Sequence, residues 1–162
     1  MPRCYDGSDP SAIDIGTVGA VDIDRWRSRL PVTRASDGEL VGWTVSDLAA
    51  DDGELVDAVN PVGHVIATDV RLDHAVDVLE SHGLSSLSRP YWARAPLPVA
   101  SELDLRRPQH DWRWRRMVMT QLDDTRVWIR PAYPSYPERM VEVALSLPAD
   151  DVLVTEPPAP DE

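Results

Sequence analysis

Apolar and polar residues alternate with a period of two over much of the chain, which is the pattern of strands that bury one face. In the clearest run, residues 140–147, every second residue is apolar: Val141, Val143, Leu145 and Leu147. Other β-prone runs occupy residues 40–45, 55–59, 65–66, 112–122 and 126–130. These runs predict five or six strands.

The run that begins at residue 112 has a mixed character. Arg113 and Arg115 are expected to project from one face of this strand, since neighbouring residues on a strand point to opposite sides. The other face is predicted to carry Trp112, Trp114, Val118, Thr120 and Leu122. An Asp-Asp turn at 123–124 then leads into the next strand.

One segment has the helical period of 3.6 residues and predicts a helix over about 69–82. Thr68 or Asp69 is its expected N-cap. Gly83 is expected to end it in the left-handed conformation that glycine tolerates. The apolar stripe of this helix consists of Leu72, Ala75, Val76 and Leu79.

Shorter signals lie in the N-terminal third. Asp22 is a candidate N-cap for a short helix that Pro31 would end. Its apolar face is predicted to contain Ile23, Trp26 and Leu30. The sequence Asp-Gly-Glu-Leu-Val occurs at 37–41 and again at 52–56, and each copy places an Asp-Gly turn before a predicted strand. We expect the loop 47–53 to join these two strands.

The predicted fold class is α+β, a mostly antiparallel sheet with the 69–82 helix packed on one face. Residues 1–21 are rich in Gly, Ser, Asp and Pro and are expected to be loosely ordered. Residues 22–154 form the predicted single domain. Residues 155–162 are acidic and Pro-rich and are expected to be a disordered tail.

The amino-acid composition excludes some kinds of chemistry and binding. The 162 residues carry a formal net charge of −12 and include no Lys and no Phe. The lack of Lys excludes Schiff-base chemistry, and the acidity disfavours non-specific binding to nucleic acid or anionic membranes. One Cys allows no intramolecular disulfide. The sequence contains neither a signal-peptide pattern nor a spanning segment, so we expect a soluble cytoplasmic protein without membrane contact.

Known catalytic spacings, such as a glycine-rich phosphate loop or a nucleophile elbow, do not occur in the sequence. His74 and His82 lie eight positions apart on the predicted helix, about 12 Å along its axis, which is too far to share a metal ion. We therefore predict no metal and no cofactor. Whether the protein is an enzyme is left open by the sequence, with a non-enzyme favoured.

The most unusual segment is Trp-Arg-Trp-Arg-Arg at 112–116. Between Leu105 and Arg139 there are eight Arg and four acidic residues, so a basic region lies within an acidic chain. The segment is typical of core tryptophans with ion-paired arginines, of a protein interface, or of single-stranded nucleic-acid binding. The last is the weakest of the three, because the predicted strand separates Trp from Arg and the net charge repels a polyanion.

The leading hypothesis is a non-catalytic protein-interaction or regulatory domain, in a specific form an acidic inhibitor or immunity-type protein that binds a basic target. Its candidate partner-binding residues are Trp112, Arg113, Trp114, Arg115, Arg116 and, in a Pro-rich loop, Tyr133 and Tyr136. The first alternative is a small enzyme or ligand-binding domain in which His64 acts as acid or base and Arg130 binds an anion. The second is weak binding of single-stranded nucleic acid through the Trp/Arg strand. The sequence leaves the partner and the oligomeric state open.

Overall fold

The computed structural model describes residues 21–46 and 55–157, and the strands of this part form two four-stranded antiparallel sheets in which spatial order follows sequence order. The first sheet consists of β1 (Leu30–Thr33), β2 (Leu40–Val45), β3 (Leu55–Val59) and β4 (Val65–Arg71). The second consists of β5 (Tyr91–Ala95), β6 (Arg113–Leu122), β7 (Arg126–Pro131) and β8 (Val143–Ser146).

Helices are few and short. Helix α1 spans Ile23–Trp26, and helix α2 spans Leu72–Val78 and continues as one π-helical turn, Leu79–Gly83. Short 3-10 turns lie at Ser85–Ser88 and Tyr136–Glu138. The predicted α+β class is therefore confirmed, although the described chain holds eight strands rather than five or six. The loop 47–53, most of segment 1–21 and the end of the predicted tail lie outside the described residues.

Strands β2 and β3 have the predicted bounds, whereas β1 and β5 were not predicted. Strand β1 has four residues, of which only Val32 is buried, and it pairs with β2 alone. Its Pro31 is tolerated because an edge strand does not need every backbone N–H. Leu30 lies in this strand and is 66% exposed, so the apolar face predicted for α1 reduces to Trp26.

The main helix begins later than its sequence pattern indicates. Strand β4 runs to Arg71, which occupies the N-cap position of α2 without a side-chain cap. Neither Thr68 nor Asp69 caps the helix, and Asp69 has a positive φ of 50° within the strand. Pairing of β4 with β3 extends as far as Arg71, and this pairing prevails over the local capping signal.

Gly83 serves close packing rather than a left-handed turn. A Cβ atom at this position would lie 1.9 Å from the Val41 carbonyl oxygen, so only glycine lets the helix end approach β2. Gly42 on β2 faces the same contact, since its Cβ would lie 2.5 Å from the Leu79 side chain. Helix α2 and its π-helical turn thus cover one face of the first sheet, with Ala75, Val78 and Leu79 in the shared core.

The residues predicted to share one face of β6 do not all do so, because the strand contains a β-bulge. Met119 pairs with Ile129 but Gln121 pairs with Trp128, so Thr120 is an extra residue and the alternation shifts. Leu122 consequently turns toward the core, whereas Trp114 lies on the other face. Trp112 precedes the strand and is buried in the second sheet's core, so it does not share a face with Trp114.

The two sheets meet at the loop between β3 and β4. Val62 of this loop is fully buried in the core of the second sheet, and its carbonyl accepts a hydrogen bond from the Ala149 amide. The Asn60 side chain holds the loop by accepting from the amides of Val62, Gly63 and His64. The loop therefore fixes His64 between the sheets.

Candidate functional site

Three tryptophans and three arginines alternate on one face of the second sheet. Trp92 and Arg94 of β5 lie directly opposite Arg116 and Trp114 of β6. On β7, Arg130 lies opposite Val118, and Trp128 lies opposite Gln121. We call this surface the outer face and define it by Trp92, Arg94, Trp114, Arg116, Trp128 and Arg130.

The opposite face of the same sheet is the core. Tyr91, Ala93, Ala95, Met117 and Ile129 are each at most 2% exposed. On the outer face, by contrast, Arg130 is exposed and the other five residues are only half-buried. Sheet register thus places an aromatic and cationic surface where solvent reaches it.

The side chains of the outer face contact each other. The guanidinium of Arg116 lies over the ring of Trp92, 5.2 Å from its centroid, which is the geometry of a cation–π pair. Arg94 donates to backbone carbonyls, including that of Trp112 at 3.1 Å. The surface is therefore partly pre-ordered, and Arg116 still has a buried Nε without a hydrogen-bond partner.

None of the arginines on the outer face is ion-paired with an acidic residue in the described part of the chain. Arg126 also points outward, since it alternates with Trp128 and Arg130 on β7 and pairs in register with Ser146. The surface therefore presents uncompensated positive charge in a protein whose net charge is −12.

Arg115 behaves differently because it faces inward. Its guanidinium donates to both carboxylate oxygens of Glu138, a residue with no exposed surface. Glu138 also accepts from the Val99 amide at 2.7 Å and from the amide and hydroxyl of Ser135. The Arg115 hydrogen bond, followed by those of Ser135 and Val99, holds the pKa of Glu138 well below its usual range.

A cleft of about 410 Å³ opens where β5 ends and β6 begins, next to the outer face. Trp114 belongs to both. The other lining residues are Ala95, Pro96, Leu97, Asp111, Arg113 and Arg115. Leu97 is 73% exposed, so the cleft offers an accessible apolar wall beside cationic groups.

The predicted partner-binding residues fall into separate places. Trp114 and Arg116 lie on the outer face, and Arg113 lines the cleft. Trp112 is in the core, and Arg115 lines the cleft but is held by buried Glu138. Tyr133 and Tyr136 are exposed in the loop between β7 and β8, where Arg139 lies 5.4 Å from the Tyr136 ring centroid.

The residues of the alternative ligand site lie in different surroundings. Arg130 is exposed on the outer face. His64 is 5% exposed and its ring stacks on Tyr91 with centroids 5.5 Å apart. Burial lowers the pKa of the His64 imidazole, opposed by the charge of Asp150 and a backbone hydrogen bond at Leu153. This arrangement suits a neutral histidine packed between the sheets.

Trp92, Arg94 and Trp128 belong to the outer face but were missing from the predicted binding residues. They are separated from residues 112–116 along the chain, and only strand pairing brings them beside Trp114 and Arg116. Their sequence signal was the same Trp/Arg combination, Trp92 with Arg94 and Trp128 with Arg130, at a spacing of two on β-prone segments.

Within residues 21–46 and 55–157, no group of three or more His, Cys, Asp or Glu side chains is arranged to hold a metal ion. No helix in these ranges is long and apolar enough to cross a membrane. Comparison of the chain with known protein families, curated proteins and solved structures gives no match.

Proposed function

We propose that this protein is a non-catalytic interaction domain that binds a protein partner through the outer face of its second sheet. The observation that carries the proposal is the alternation of three partly exposed tryptophans with three arginines that have no acidic partner among the described residues. Trp and Arg are the residue types most enriched at the energetic centres of protein interfaces.

Two properties of the surface favour binding. Trp92, whose ring is already covered on one side by the Arg116 guanidinium, loses little side-chain freedom when a partner covers it. Burying the remaining exposed area of the three tryptophans on complex formation also adds a hydrophobic contribution. The outer face thus supplies both apolar area and hydrogen-bond donors within one rigid sheet.

Site-specific photo-crosslinking in the source cells tests the proposal. Benzoylphenylalanine in place of Trp128 places the reactive group on the outer face. The same group in place of Leu72, a 54% exposed residue of α2, is the matched control away from that face. We expect one protein to crosslink at Trp128 and not at Leu72, as identified by mass spectrometry.

Competition completes the test. An excess of unlabelled wild-type protein should suppress the crosslink, whereas an excess of the Trp114→Ala/Arg116→Ala variant should not. Equal crosslinking from both positions, or equal competition by the variant, would show that the outer face is not the binding surface.

A further inference from the structure

We propose that the partner presents an acidic, extended polypeptide segment to the outer face and inserts an apolar side chain into the cleft beside Trp114. This inference deepens the proposed function and depends on it. It specifies the chemistry of the partner, which the choice of the outer face alone leaves open.

Charge complementarity is the first argument. Arg94, Arg116 and Arg130 project from adjacent strands of one face, and none of them forms an ion pair with a carboxylate of the described residues. Arginine forms its strongest hydrogen bonds with carboxylates, frequently in a bidentate arrangement. Neighbouring strands lie about 4.8 Å apart, so side chains of an extended segment crossing them reach successive arginines.

The cleft supplies the second argument. Its volume of about 410 Å³ lies within the range of sites that hold small ligands, and Leu97, Pro96 and Trp114 give it apolar walls. Arg113 lines the cleft together with Asp111 and provides a further guanidinium for a carboxylate next to the inserted side chain. A segment that combines acidic residues with one apolar anchor therefore matches both parts of the surface.

Polypeptide is favoured over single-stranded nucleic acid for two reasons. Base stacking needs free aromatic faces, and the Arg116 guanidinium already covers one face of the Trp92 ring. In addition, nucleic acid carries a charge on every nucleotide, and the net charge of −12 opposes its approach more strongly than that of a segment with a few carboxylates.

The test uses a fluorescein-labelled dodecapeptide that alternates Glu with Val and Leu, with matched peptides in which every Glu is replaced by Gln or by Lys. Fluorescence anisotropy with the full-length protein measures their affinities at low and high salt. We expect the Glu peptide to bind at least about ten-fold more tightly than the Gln peptide at low salt, and this advantage should shrink as salt is added.

Matched variants locate the binding. Arg116→Gln/Arg130→Gln should weaken binding of the Glu peptide at least about ten-fold. Arg27→Gln/Arg71→Gln removes the same charge from exposed positions of α1 and β4 and should leave the affinity unchanged. Leu97→Asp should weaken binding of the Glu peptide without altering the far-ultraviolet circular dichroism of the protein.

Other occupants of the outer face have distinct signatures. Tighter binding of an oligothymidylate than of the Glu peptide would assign the surface to nucleic acid. Tighter binding after deletion of residues 158–162 would assign it to the chain's own acidic terminus, and a dimer that Trp114→Asp dissociates would assign it to a second copy. Each of these results overturns the inference.

The crosslinking experiment separates this inference from the proposed function. If a partner crosslinks at Trp128 but the Glu and Gln peptides bind equally, the interaction domain stands and the acidic segment is wrong. If the Glu peptide fails to bind and Trp128 also captures no partner, both proposals fail together.

Discussion

Tryptophan and arginine form two clusters in this protein: a buried one, which we call the closed cluster, and the partly exposed outer face. In the first, Trp26 and Trp43 contact edge to face with centroids 5.7 Å apart, and Arg29 lies over both rings. Both tryptophans are at most 4% exposed. In the second, on the outer face, Trp92, Trp114 and Trp128 remain partly exposed. The same residue types thus serve the core in one sheet and a surface in the other.

The two clusters differ in how far their tryptophans are buried and not in how their arginines are paired. Arg29 donates to the carbonyls of Trp26 and Asp124, so it closes its cluster and links α1 to the turn between β6 and β7. Arg116 likewise covers Trp92, and neither Arg29 nor Arg116 has an ion pair or an acceptor for its buried Nε among the described residues. A Trp/Arg sequence is therefore not by itself a binding signal. Partial exposure of the rings, rather than free hydrogen-bonding capacity of the arginines, distinguishes the outer face.

The largest loss of stability is expected when the closed cluster is disrupted. Trp43→Ala removes a buried ring that packs against Trp26 and donates toward the Pro61 carbonyl, and it should reduce the free energy of unfolding by about 4 kcal/mol. Urea denaturation followed by circular dichroism measures the change. If the loss were no larger than that of an outer-face Trp→Ala variant, the distinction between the two clusters would be lost.

Arg115 and Arg116 of the second sheet provide a similar contrast between a buried and an exposed side of the protein. Glu138→Ala leaves inward-facing Arg115 without its buried carboxylate and should cost about 3 kcal/mol in the free energy of unfolding. Arg116→Ala on the outer face should cost less than about 1 kcal/mol, since that side chain is ion-paired to nothing in the described chain. Glu142→Ala, an exposed carboxylate nearby in sequence, is the control for Glu138.

The Glu138 variant also changes the response to acid. The folded protein holds the Glu138 pKa below its ordinary value of 4.5, so this carboxylate stabilises the fold above that pH and its contribution is lost as the pH falls below it. Acid titrations of stability should therefore converge for wild type and Glu138→Gln as the pH decreases. Curves that stay parallel would show that Glu138 is not preferentially ionised in the folded state.

The strand that carries Trp43 was easier to predict from sequence than the outer face. Strands β2 and β3 were predicted to the residue because Asp-Gly turn sequences precede runs of β-prone residues. Short strands next to prolines were missed, and so was the register shift at Thr120, because a bulge leaves no mark in the alternation of residue types. The outer face is formed by the pairing of β5, β6 and β7. The sequence therefore indicated its residue types but not which residues lie side by side.

A fourth prediction concerns His64, which lies where the loop between β3 and β4 contacts the second sheet. Burial lowers the pKa of His64 below its ordinary 6.5, so the unfolded chain binds the proton first and stability falls as the pH drops through about 6.5. One such group changes the free energy of unfolding by at most about 1.4 kcal/mol per pH unit.

Denaturation at a series of pH values from neutral to mildly acidic tests His64. Burial raises the pKa of Asp150, so the folded protein binds this proton before the unfolded chain does and the contribution of Asp150 has the opposite sign, at pH values above its ordinary 3.8. His64→Gln should flatten the curve, whereas His82→Gln, which alters an exposed histidine, should not. An unchanged slope in His64→Gln would assign the pH dependence to other groups.

The smallest effect on stability is expected on the outer face, and it decides how the two clusters differ in role. Trp114→Ala and Trp128→Ala should each reduce the free energy of unfolding by about 1 kcal/mol, because both rings are only half-buried in the isolated protein. Calorimetry or urea denaturation measures this. The same substitutions should weaken partner binding at least about ten-fold, since a partner would cover the part of each ring that is still exposed and Trp residues dominate interface energies. A stability loss as large as that of Trp43→Ala, with no change in binding, would make the outer face a structural feature and leave the protein without its proposed binding surface.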